Sequence, residues 1–305
     1  MTRDPLACPD PIADRRFAYG QAAARDGDWA AAADLFAQTA DLVPGWAPAH
    51  FALAESREKL GDQTGAASAF RAALAADPAD AQGAAARLAL IEGGAPDALP
   101  AAYVARLFDD YAPRFDAHLT EGLRYRGPAL LLAALDKAAP GKRFARTLDL
   151  GCGTGLMGAA IRDRVGHLAG VDLSPAMIAR ARARGLYDEL AAADARAWLE
   201  ASAPHAFDLI VAADALCYFG DLRPIFAAMA SSLAASGLLV LSVETFEGDG
   251  FRLRETLRFA HSPAYLDATA RAAGLQPRLV RPASTRREAG ADVPGLIAVY
   301  AAPER

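Results

Sequence analysis

The sequence has 305 residues, 53% of them hydrophobic, and a formal net charge of −5 at pH 7. This length predicts one large or two medium domains with ample material for a core. The net negative charge argues against an overall basic surface that would bind nucleic acid. No apolar stretch reaches the roughly 18–20 residues of a membrane span.

The cysteines and the N-terminal residues bear on the cellular compartment. Cys8, Cys152 and Cys217 neither frame disulfides nor offer the paired spacing of metal ligands. The opening sequence MTRDPLACPDPIADRR lacks the apolar centre of a signal peptide. We therefore expect a cytoplasmic protein that uses no metal and has neither nucleic acid nor membrane as a partner.

The N-terminal third repeats at an interval of 34 residues. This interval separates Gly27 from Gly61, Phe36 from Phe70, and Pro44 from Pro78. Such a period is the signature of tetratricopeptide repeats, in which each unit is two antiparallel helices. Ala32 and Ala66 are expected to let the helices approach closely, and the phenylalanines to fill the groove between them.

Residues 1–98 hold about two and a half such units, the last predicted as a helix from Asp80 to Ile91. Fewer than three units seldom stand alone, so this array is expected to pack on the rest of the chain or on a second subunit. Two roles stay open: a structural or homodimerisation element, and a concave surface that presents a protein or peptide. Acidic residues outnumber basic ones by 14 to 8 over residues 1–98, so a bound peptide is expected to be basic.

Residues 99–140 read as a linker and a largely helical region. The segment Glu92 to Pro100 is rich in glycine and proline, and breaks in the helix are predicted near Gly122 and Gly127. Four side chains share one face of a predicted helix by i, i+4, i+7, i+8 spacing: Tyr111, Phe115, His118 and Leu119. Core packing is favoured for Phe115 and Leu119, whereas for Tyr111 and His118 packing and a functional role both stay open.

The motif DLGCGTG begins at Asp149, and its three glycines directly follow an apolar run that ends in Asp149 and Leu150. Its glycines are Gly151, Gly153 and Gly155, and the next apolar run ends in Asp172. This pattern predicts a strand, a tight turn, a helix, a second strand and a carboxylate placed to bind a ribose. The G-x-G-x-G spacing differs from that of a dinucleotide site, and an acid at 149 would repel phosphate, so a cationic, phosphate-free ligand is favoured.

The motif resembles the first motif of class I S-adenosylmethionine-dependent methyltransferases. The resemblance implies that Asp149 lies near the amino acid moiety of the cofactor, that the glycines make room for it, and that Asp172 binds both ribose hydroxyls. The further cofactor contacts that it implies, at the adenine and near the reactive methyl, are Leu173, Met177, Asp194, Ala195 and Ala213. The implied fold is an α/β Rossmann-like domain over residues 141–305, with a seven-stranded, mostly parallel sheet, preceded by the all-α repeat domain.

Residues 103–135 resemble the N-terminal lid of a bacterial subgroup of these enzymes, some of which also carry tetratricopeptide repeats. In such enzymes the lid closes over the sulfonium and the substrate. The residues expected at that surface or facing the substrate are Tyr111, Phe115, Tyr125, Arg126 and Glu244.

Methyl transfer by in-line displacement mainly requires alignment of the reactants and exclusion of water. A base is needed only if the nucleophile must lose a proton. The catalytic candidates are Asp214, Tyr218 and His261 near strands four and five, and His118 in the lid. Other roles stay open for three acidic or basic residues: Asp214 as a helix cap or structural acid, Glu244 as a salt-bridge partner, and His261 as a residue preceding a helix cap. The polar loop 282–295 is expected to be a solvated hairpin.

Together these features predict an S-adenosylmethionine-dependent methyltransferase, with S-adenosylhomocysteine as product, that acts on a small molecule or a protein. The alternative is a catalytically degenerate scaffold that binds the cofactor and acts through its repeats. A nicotinamide-dependent oxidoreductase is disfavoured by the glycine spacing and by Asp149.

Overall fold

The computed structural model describes residues 6–304, which divide into two compact units, one up to Tyr103 and one from Val104. The N-terminal unit contains α1 (Pro11–Arg25), α2 (Trp29–Leu42), α3 (Ala47–Lys59), α4 (Gln63–Ala76) and α5 (Ala84–Glu92). Gly27 and Gly61 have φ of +81° and +80° in the turns before α2 and α4, a conformation that glycine adopts freely. Asp28 and Asp62 cap these two helices, so both 34-residue units begin their second helix in the same way.

The core of the N-terminal unit holds the residues that the repeat pattern singled out. Phe36 is 3% exposed, and Phe70, Ala32 and Ala66 are completely buried. At Gly20, an added Cβ would lie 2.6 Å from the Phe36 ring, so α1 approaches α2 too closely for any side chain at that position. The expected roles of the small alanines and the phenylalanines are confirmed.

The predicted lid is less regular than its sequence pattern suggests. The segment contains α6 (Ala101–Tyr111), α7 (Phe115–Ala117) and α8 (Gly127–Ala138). A 3₁₀ turn containing Pro113 separates α6 from α7, and residues 118–122 form a π-helical turn. The expectation of one continuous α-helix through residues 111–119 is therefore wrong, because a proline interrupts its backbone hydrogen bonds, although Tyr111 still contacts Phe115 and His118.

The second unit is built on a nine-stranded sheet. Its elements after α8 are β1 (Phe144–Leu150), α9 (Leu156–Ile161), β2 (Val165–Asp172), α10 (Pro175–Ala183), β3 (Glu189–Ala192), α11 (Ala195–Ala201), β4 (Phe207–Ala212), α12 (Arg223–Ser232), β5 (Leu233–Thr245), β6 (Phe251–Leu253), β7 (Phe259–His261), α13 (Pro263–Ala272), β8 (Gln276–Pro282), β9 (Arg287–Glu288), β10 (Ala291–Asp292) and β11 (Gly295–Ala301). β9 and β10 form a separate hairpin.

The strand order is β3-β2-β1-β4-β5-β11-β8, with β7 on β5 and β6 on β7. The first five strands of this order, from β3 through β2, β1 and β4 to β5, are parallel to one another. Strand β11 is antiparallel to both of its neighbours. The mostly parallel, Rossmann-like sheet is as predicted, but the two short strands β6 and β7 raise the count above the expected seven.

Both faces of the sheet are covered. Ile210 of β4 belongs to one apolar cluster with Phe226 of α12, whereas Leu209 and Val211 belong to another with Leu131 of α8. Successive side chains of a strand point to opposite faces, so a doubly covered strand is apolar throughout. Ligands of such sheets bind at the carboxyl ends of the strands.

No helix within residues 6–304 has the length and apolar character needed to cross a bilayer.

Candidate active site

The glycine loop follows β1 as the motif predicted. Gly151, Gly153 and Gly155 all have left-handed φ angles, of +70°, +53° and +90°. A Cβ at Gly151 would lie 2.5 Å from the Cβ of Ala215, so glycine is required there by close approach. A Cβ at Gly153 would come into ordinary van der Waals contact with the Phe115 ring, 3.9 Å away, so the ring lies over this backbone with a gap of about one methyl group.

Asp172 ends β2 and holds the glycine loop. Its Oδ2 accepts a hydrogen bond from the Gly153 N–H at 2.9 Å, and its Oδ1 accepts one from the Ser174 N–H at 2.9 Å. Burial raises the pKa of this carboxyl, although the two N–H groups oppose that effect. Each carboxylate oxygen has a second lone pair, so the partly exposed Asp172 can still accept hydrogen bonds from a diol.

Asp149 lies beneath the loop and is completely buried. Its Oδ2 accepts a hydrogen bond from the Tyr187 hydroxyl at 2.6 Å, while its Oδ1 is buried without a partner. Burial raises its pKa to about 7, against the lowering effect of Tyr187. Tyr187 was not predicted as part of the site. Gly158 and Gly170 leave room for its side chain, because a Cβ at either position would lie within 3 Å of the Tyr187 ring or hydroxyl. These two glycines are the signal in the sequence that a large side chain packs here.

The residues expected around the adenine have different surroundings. Leu173 is half-buried, whereas Met177 is completely buried in the interior, so Met177 does not present a free surface there. Asp194 caps α11, and its Oδ1 accepts a hydrogen bond from the Ala197 N–H at 2.9 Å. Ala195 packs against the core. Their contacts with a cofactor stay predictions.

Two carboxylates attach the lid segment, residues 104–122, to this region. Asp116 accepts hydrogen bonds from Thr154 Oγ1 and from Arg184 Nη2, both at 2.5 Å. Asp109 accepts hydrogen bonds from Ser174 Oγ at 2.5 Å and from the Ala176 N–H at 3.0 Å. Sequence reasoning missed both carboxylates, because each is one acid among several on an amphipathic segment.

An aromatic cluster lies on the lid segment. The Phe108 ring makes edge contacts with Phe115 and with Tyr218, at centroid distances of 6.1 Å and 5.4 Å. Tyr111 contacts Phe115, and its hydroxyl is hydrogen-bonded to His118 Nδ1. Tyr111 and His118 are therefore a surface pair, while the expected packing role of Leu119 is confirmed by its burial.

Asp214 follows β4 with φ of +54°, a conformation that strains a residue other than glycine. Its N–H donates to Ser242 Oγ at 2.8 Å, and its Oδ1 accepts hydrogen bonds from Ser242 Oγ at 2.9 Å and Thr285 Oγ1 at 3.1 Å. Its Oδ2 is buried without a partner. Ala213, just before it, packs partly against the core. The pKa of the neighbouring Tyr125 hydroxyl is raised well above its usual range, first by burial and then by the charge of Asp214 and a hydrogen bond to its carboxylate.

The polar loop after β8 is not the solvated hairpin that was expected throughout. Thr285 and Arg286 are 6% and 7% exposed. The Arg126 N–H donates to the Thr285 carbonyl at 2.7 Å, and Arg126 Nη2 donates to the Ser284 carbonyl at 3.0 Å. These contacts hold the loop in place, and through them Arg126 connects the loop to the region that resembles a lid, residues 103–135.

Glu244, at the carboxyl end of β5, is an ion-pair partner rather than a free acid. It accepts hydrogen bonds from Arg254 at 2.7 Å, from Arg286 at 2.8 Å and from Arg258. Burial alone would raise its pKa, but Arg258 and Arg286 outweigh burial and lower it. Arg258 also donates to the Tyr218 hydroxyl at 2.8 Å.

His261 is completely buried, so the structure does not make it available as a base. Its Nε2 lies 2.9 Å from the Phe219 carbonyl and 3.1 Å from that of Gly220. Burial lowers its pKa to about 4. A neutral imidazole that donates from Nε2 to these carbonyls satisfies the geometry, which assigns His261 a structural contact instead of the catalytic role expected from sequence.

Residues 147–237 match the family described as Methyltransferase domain. This range covers the glycine loop, Asp172 and Asp214. This part of the chain is therefore similar to a methyltransferase domain. The cofactor of such a domain is S-adenosylmethionine, and no group of three His, Cys, Asp or Glu side chains within residues 6–304 is arranged to hold a metal ion.

Three curated proteins are similar to this chain, each over only part of its own length. The chain is 42% identical over 85 residues to Methyltransferase-like protein 27 of Homo sapiens, which covers 27% of this chain and 34% of that protein. It is 33% identical over 139 residues to the malonyl-[acyl-carrier protein] O-methyltransferase of Enterobacter lignolyticus, covering 46% and 52%. It is 38% identical over 125 residues to the trans-aconitate 2-methyltransferase of Methylobacterium radiotolerans, covering 40% and 45%. The chain thus spans about a third to a half of the length of these relatives.

Two solved structures share the fold. One is from the complex of the Haloferax volcanii activator Trm112 with a methyltransferase, at TM-score 0.53 and 22% identity, covering 66% of this chain and 98% of that chain. The other is the 1,6-didemethyltoxoflavin-N1-methyltransferase of Burkholderia thailandensis with S-adenosylhomocysteine bound, at TM-score 0.52 and 22% identity, covering 69% and 93%. At this identity the likeness concerns the fold of the methyltransferase domain.

Proposed function

We propose that this chain transfers a methyl group from S-adenosylmethionine to a small-molecule or protein acceptor. The observation that carries the proposal is the hydrogen bond from the Gly153 N–H to Asp172, which joins the glycine loop to the acid at the end of β2 inside a methyltransferase domain. An acid in this position is suited to a ribose diol.

The residues of the site fit the cofactor. Asp172 is partly exposed and has spare lone pairs for two hydroxyl groups. Gly153 presents no side chain beneath the Phe115 ring, and the buried Oδ1 of Asp149 is an acceptor suited to an ammonium group. When bound, S-adenosylmethionine supplies an electrophilic methyl group on a sulfonium centre.

The residues near the carboxyl ends of β4 and β5 have two tasks in this proposal. Oδ1 of Asp214 is fixed by Ser242 and Thr285, and the Tyr125 hydroxyl lies beside the same carboxylate, which is placed to accept a proton or hydrogen bond from the incoming nucleophile. Phe108 and Phe115 of the lid segment exclude water, which keeps the nucleophile aligned and prevents competing reactions. Tyr218, held by Arg258, is placed to contact the acceptor.

Calorimetric titration with S-adenosylmethionine and S-adenosylhomocysteine, with NAD as control, tests the cofactor assignment. Transfer of a labelled methyl group to candidate acceptors then tests turnover. Asp214→Asn should retain cofactor affinity and reduce the transfer rate by about 10²-fold or more, since general-base assistance contributes about that much. Asp249→Asn, at an exposed position, is the matched control. Cofactor binding without transfer to any acceptor would favour the scaffold alternative.

We infer in addition that the N-terminal unit is a tetratricopeptide-repeat array that binds a protein segment. A groove of about 370 Å³ in this unit supports the inference, and it is lined by aromatic side chains that include Phe17, Trp29 and Phe51, with Glu55 and Arg25 beside them. Aromatic rings and an acid suit a basic, partly apolar peptide. Basic and acidic peptides of matched apolar content, titrated against the full chain and against Trp29→Ala, test this; equal binding of both peptides would count against it.

A further inference from the structure

An ion cluster lies at the carboxyl end of β5 in the methyltransferase domain. Glu244 is buried and contacts three guanidinium groups, those of Arg254, Arg258 and Arg286. The Arg258 and Arg286 side chains are 17% and 8% exposed, so two largely buried positive charges face one buried negative charge. Glu288 lies 3.4 Å from Arg286 but is 41% exposed, and solvent screens its contribution.

Arg286 has a donor that the protein does not satisfy. Its Nη2 donates to Glu244, whereas its Nη1 is buried without a hydrogen-bond partner. A buried guanidinium nitrogen left without an acceptor is costly, because the group has lost water and gained nothing in return. This nitrogen therefore indicates an acceptor that comes from outside the chain.

The cluster is continuous with the acceptor end of the proposed site. Thr285, next to Arg286, donates to the Asp214 carboxylate, and Arg258 donates to the Tyr218 hydroxyl. The Tyr218 ring contacts Phe108 of the lid segment. A molecule that reaches Asp214 and Tyr218 is therefore close to both buried guanidinium groups.

We propose that Arg286, with Arg258 beside it, binds a carboxylate group of the methyl acceptor. The inference rests on the proposed function, because it assigns the substrate class of that site. A guanidinium edge matches the planar geometry of a carboxylate. Three guanidinium groups face the single carboxylate of Glu244, so the cluster is net positive and favours an added anionic group. Asp214, the other acid nearby, accepts hydrogen bonds from Ser242 and Thr285 and acts on the nucleophile in the proposed function.

The test is a binding titration of the full chain with simple dicarboxylic acids from succinate to adipate, and with benzoate. Each acid is compared with its methyl ester and with inorganic phosphate, in the presence and in the absence of S-adenosylhomocysteine. We expect the acids to bind and the esters and phosphate to bind at least about tenfold more weakly, since an ester carries no charge to pair with the guanidinium. This comparison needs no variant protein.

Two matched variants locate the site. Arg286→Lys keeps a positive charge beside Glu244 but removes the free Nη1, and we expect it to lose about tenfold or more in affinity for the acids. Arg254→Lys makes the same change in a partner of the same Glu244 and should bind the acids as the unchanged chain does. Thermal unfolding checks that both variants are folded.

Esters or phosphate binding as tightly as acids would overturn the proposal, as would acid binding that Arg286→Lys does not alter. Failure of every acid to bind a sample that binds S-adenosylhomocysteine overturns it also. Failure of S-adenosylhomocysteine itself to bind would instead contradict the proposed function, and the titration without that ligand would still decide whether Arg286 binds carboxylates.

Discussion

The Asp116 carboxylate accepts a hydrogen bond of 2.5 Å from the Thr154 hydroxyl, and this contact joins the lid segment to the glycine loop. Its other oxygen accepts from Arg184. Asp109 makes the equivalent connection to Ser174, at the start of α10. The lid segment is therefore held at both loops that flank the acid Asp172, which places Phe115 over Gly153.

Asp116→Asn should weaken this attachment. We expect S-adenosylhomocysteine affinity to fall about threefold to tenfold, because a hydrogen bond to a charged group contributes about 1.5–3 kcal/mol and partial exposure reduces it. Calorimetry measures the affinity, and limited proteolysis of residues 104–122 reports the loosening. Asp110→Asn is the control, since Asp110 is exposed and its contact with Arg106 is 3.8 Å long. Unaltered affinity and unaltered proteolysis would show that this attachment does not govern binding.

Asp172→Asn should reduce cofactor affinity by about tenfold or more. The substitution removes the charge that accepts the Gly153 N–H and, in the proposed function, the ribose hydroxyls. Calorimetry with S-adenosylhomocysteine gives the affinity, and Asp163→Asn, at an exposed position, serves as the control. Wild-type affinity in Asp172→Asn would mean that the ribose is bound elsewhere.

Asp149 should release a proton when the cofactor binds near pH 7. Its pKa in the folded chain is about 7, because burial disfavours the charged form. An ammonium group near Oδ1 would stabilise the carboxylate, so affinity should rise as the pH rises through 7. Calorimetry in two buffers of different ionisation enthalpy counts the protons, and Asp149→Asn should remove the release. An identical proton count in both proteins would refute this location for the ammonium group.

His261→Gln should change how stability depends on pH. In the folded chain the pKa of His261 is lowered to about 4, whereas the ordinary pKa of a histidine is 6.5. Between these values the unfolded chain binds more protons, so the contribution of neutral His261 to stability falls as the pH falls from 6.5 to 4. This single group changes the unfolding free energy by at most about 1.4 kcal/mol per pH unit. The difference in unfolding free energy between wild type and variant should therefore shrink over this window in urea titrations. A constant difference would contradict the assignment.

The repeat interval and the glycine motif could be predicted because both are local patterns. Gly27 and Gly61 adopt their left-handed conformations, and Gly151 to Gly155 their turn, where the sequence places them. Alternating apolar runs predicted the parallel strands for the same reason. The lid was less predictable, because Pro113 divides a segment whose apolar spacing fits a longer helix.

The acids and arginines of the site show what sequence alone determined and what it did not. Asp149 and Asp172 could be placed near the carboxyl ends of β1 and β2, because the positions of these strands follow from their own apolar residues. The free Nη1 of Arg286, the Thr285 contact with Asp214 and the Tyr187 contact with Asp149 were decided by the tertiary structure alone. The two contacts pair residues 38 and 71 positions apart in the chain, and the environment of Arg286 depends on a strand order in which β11 inserts between β5 and β8. Hydrogen bonding and burial of a polar group depend on that order, which the local pattern of any one segment does not contain.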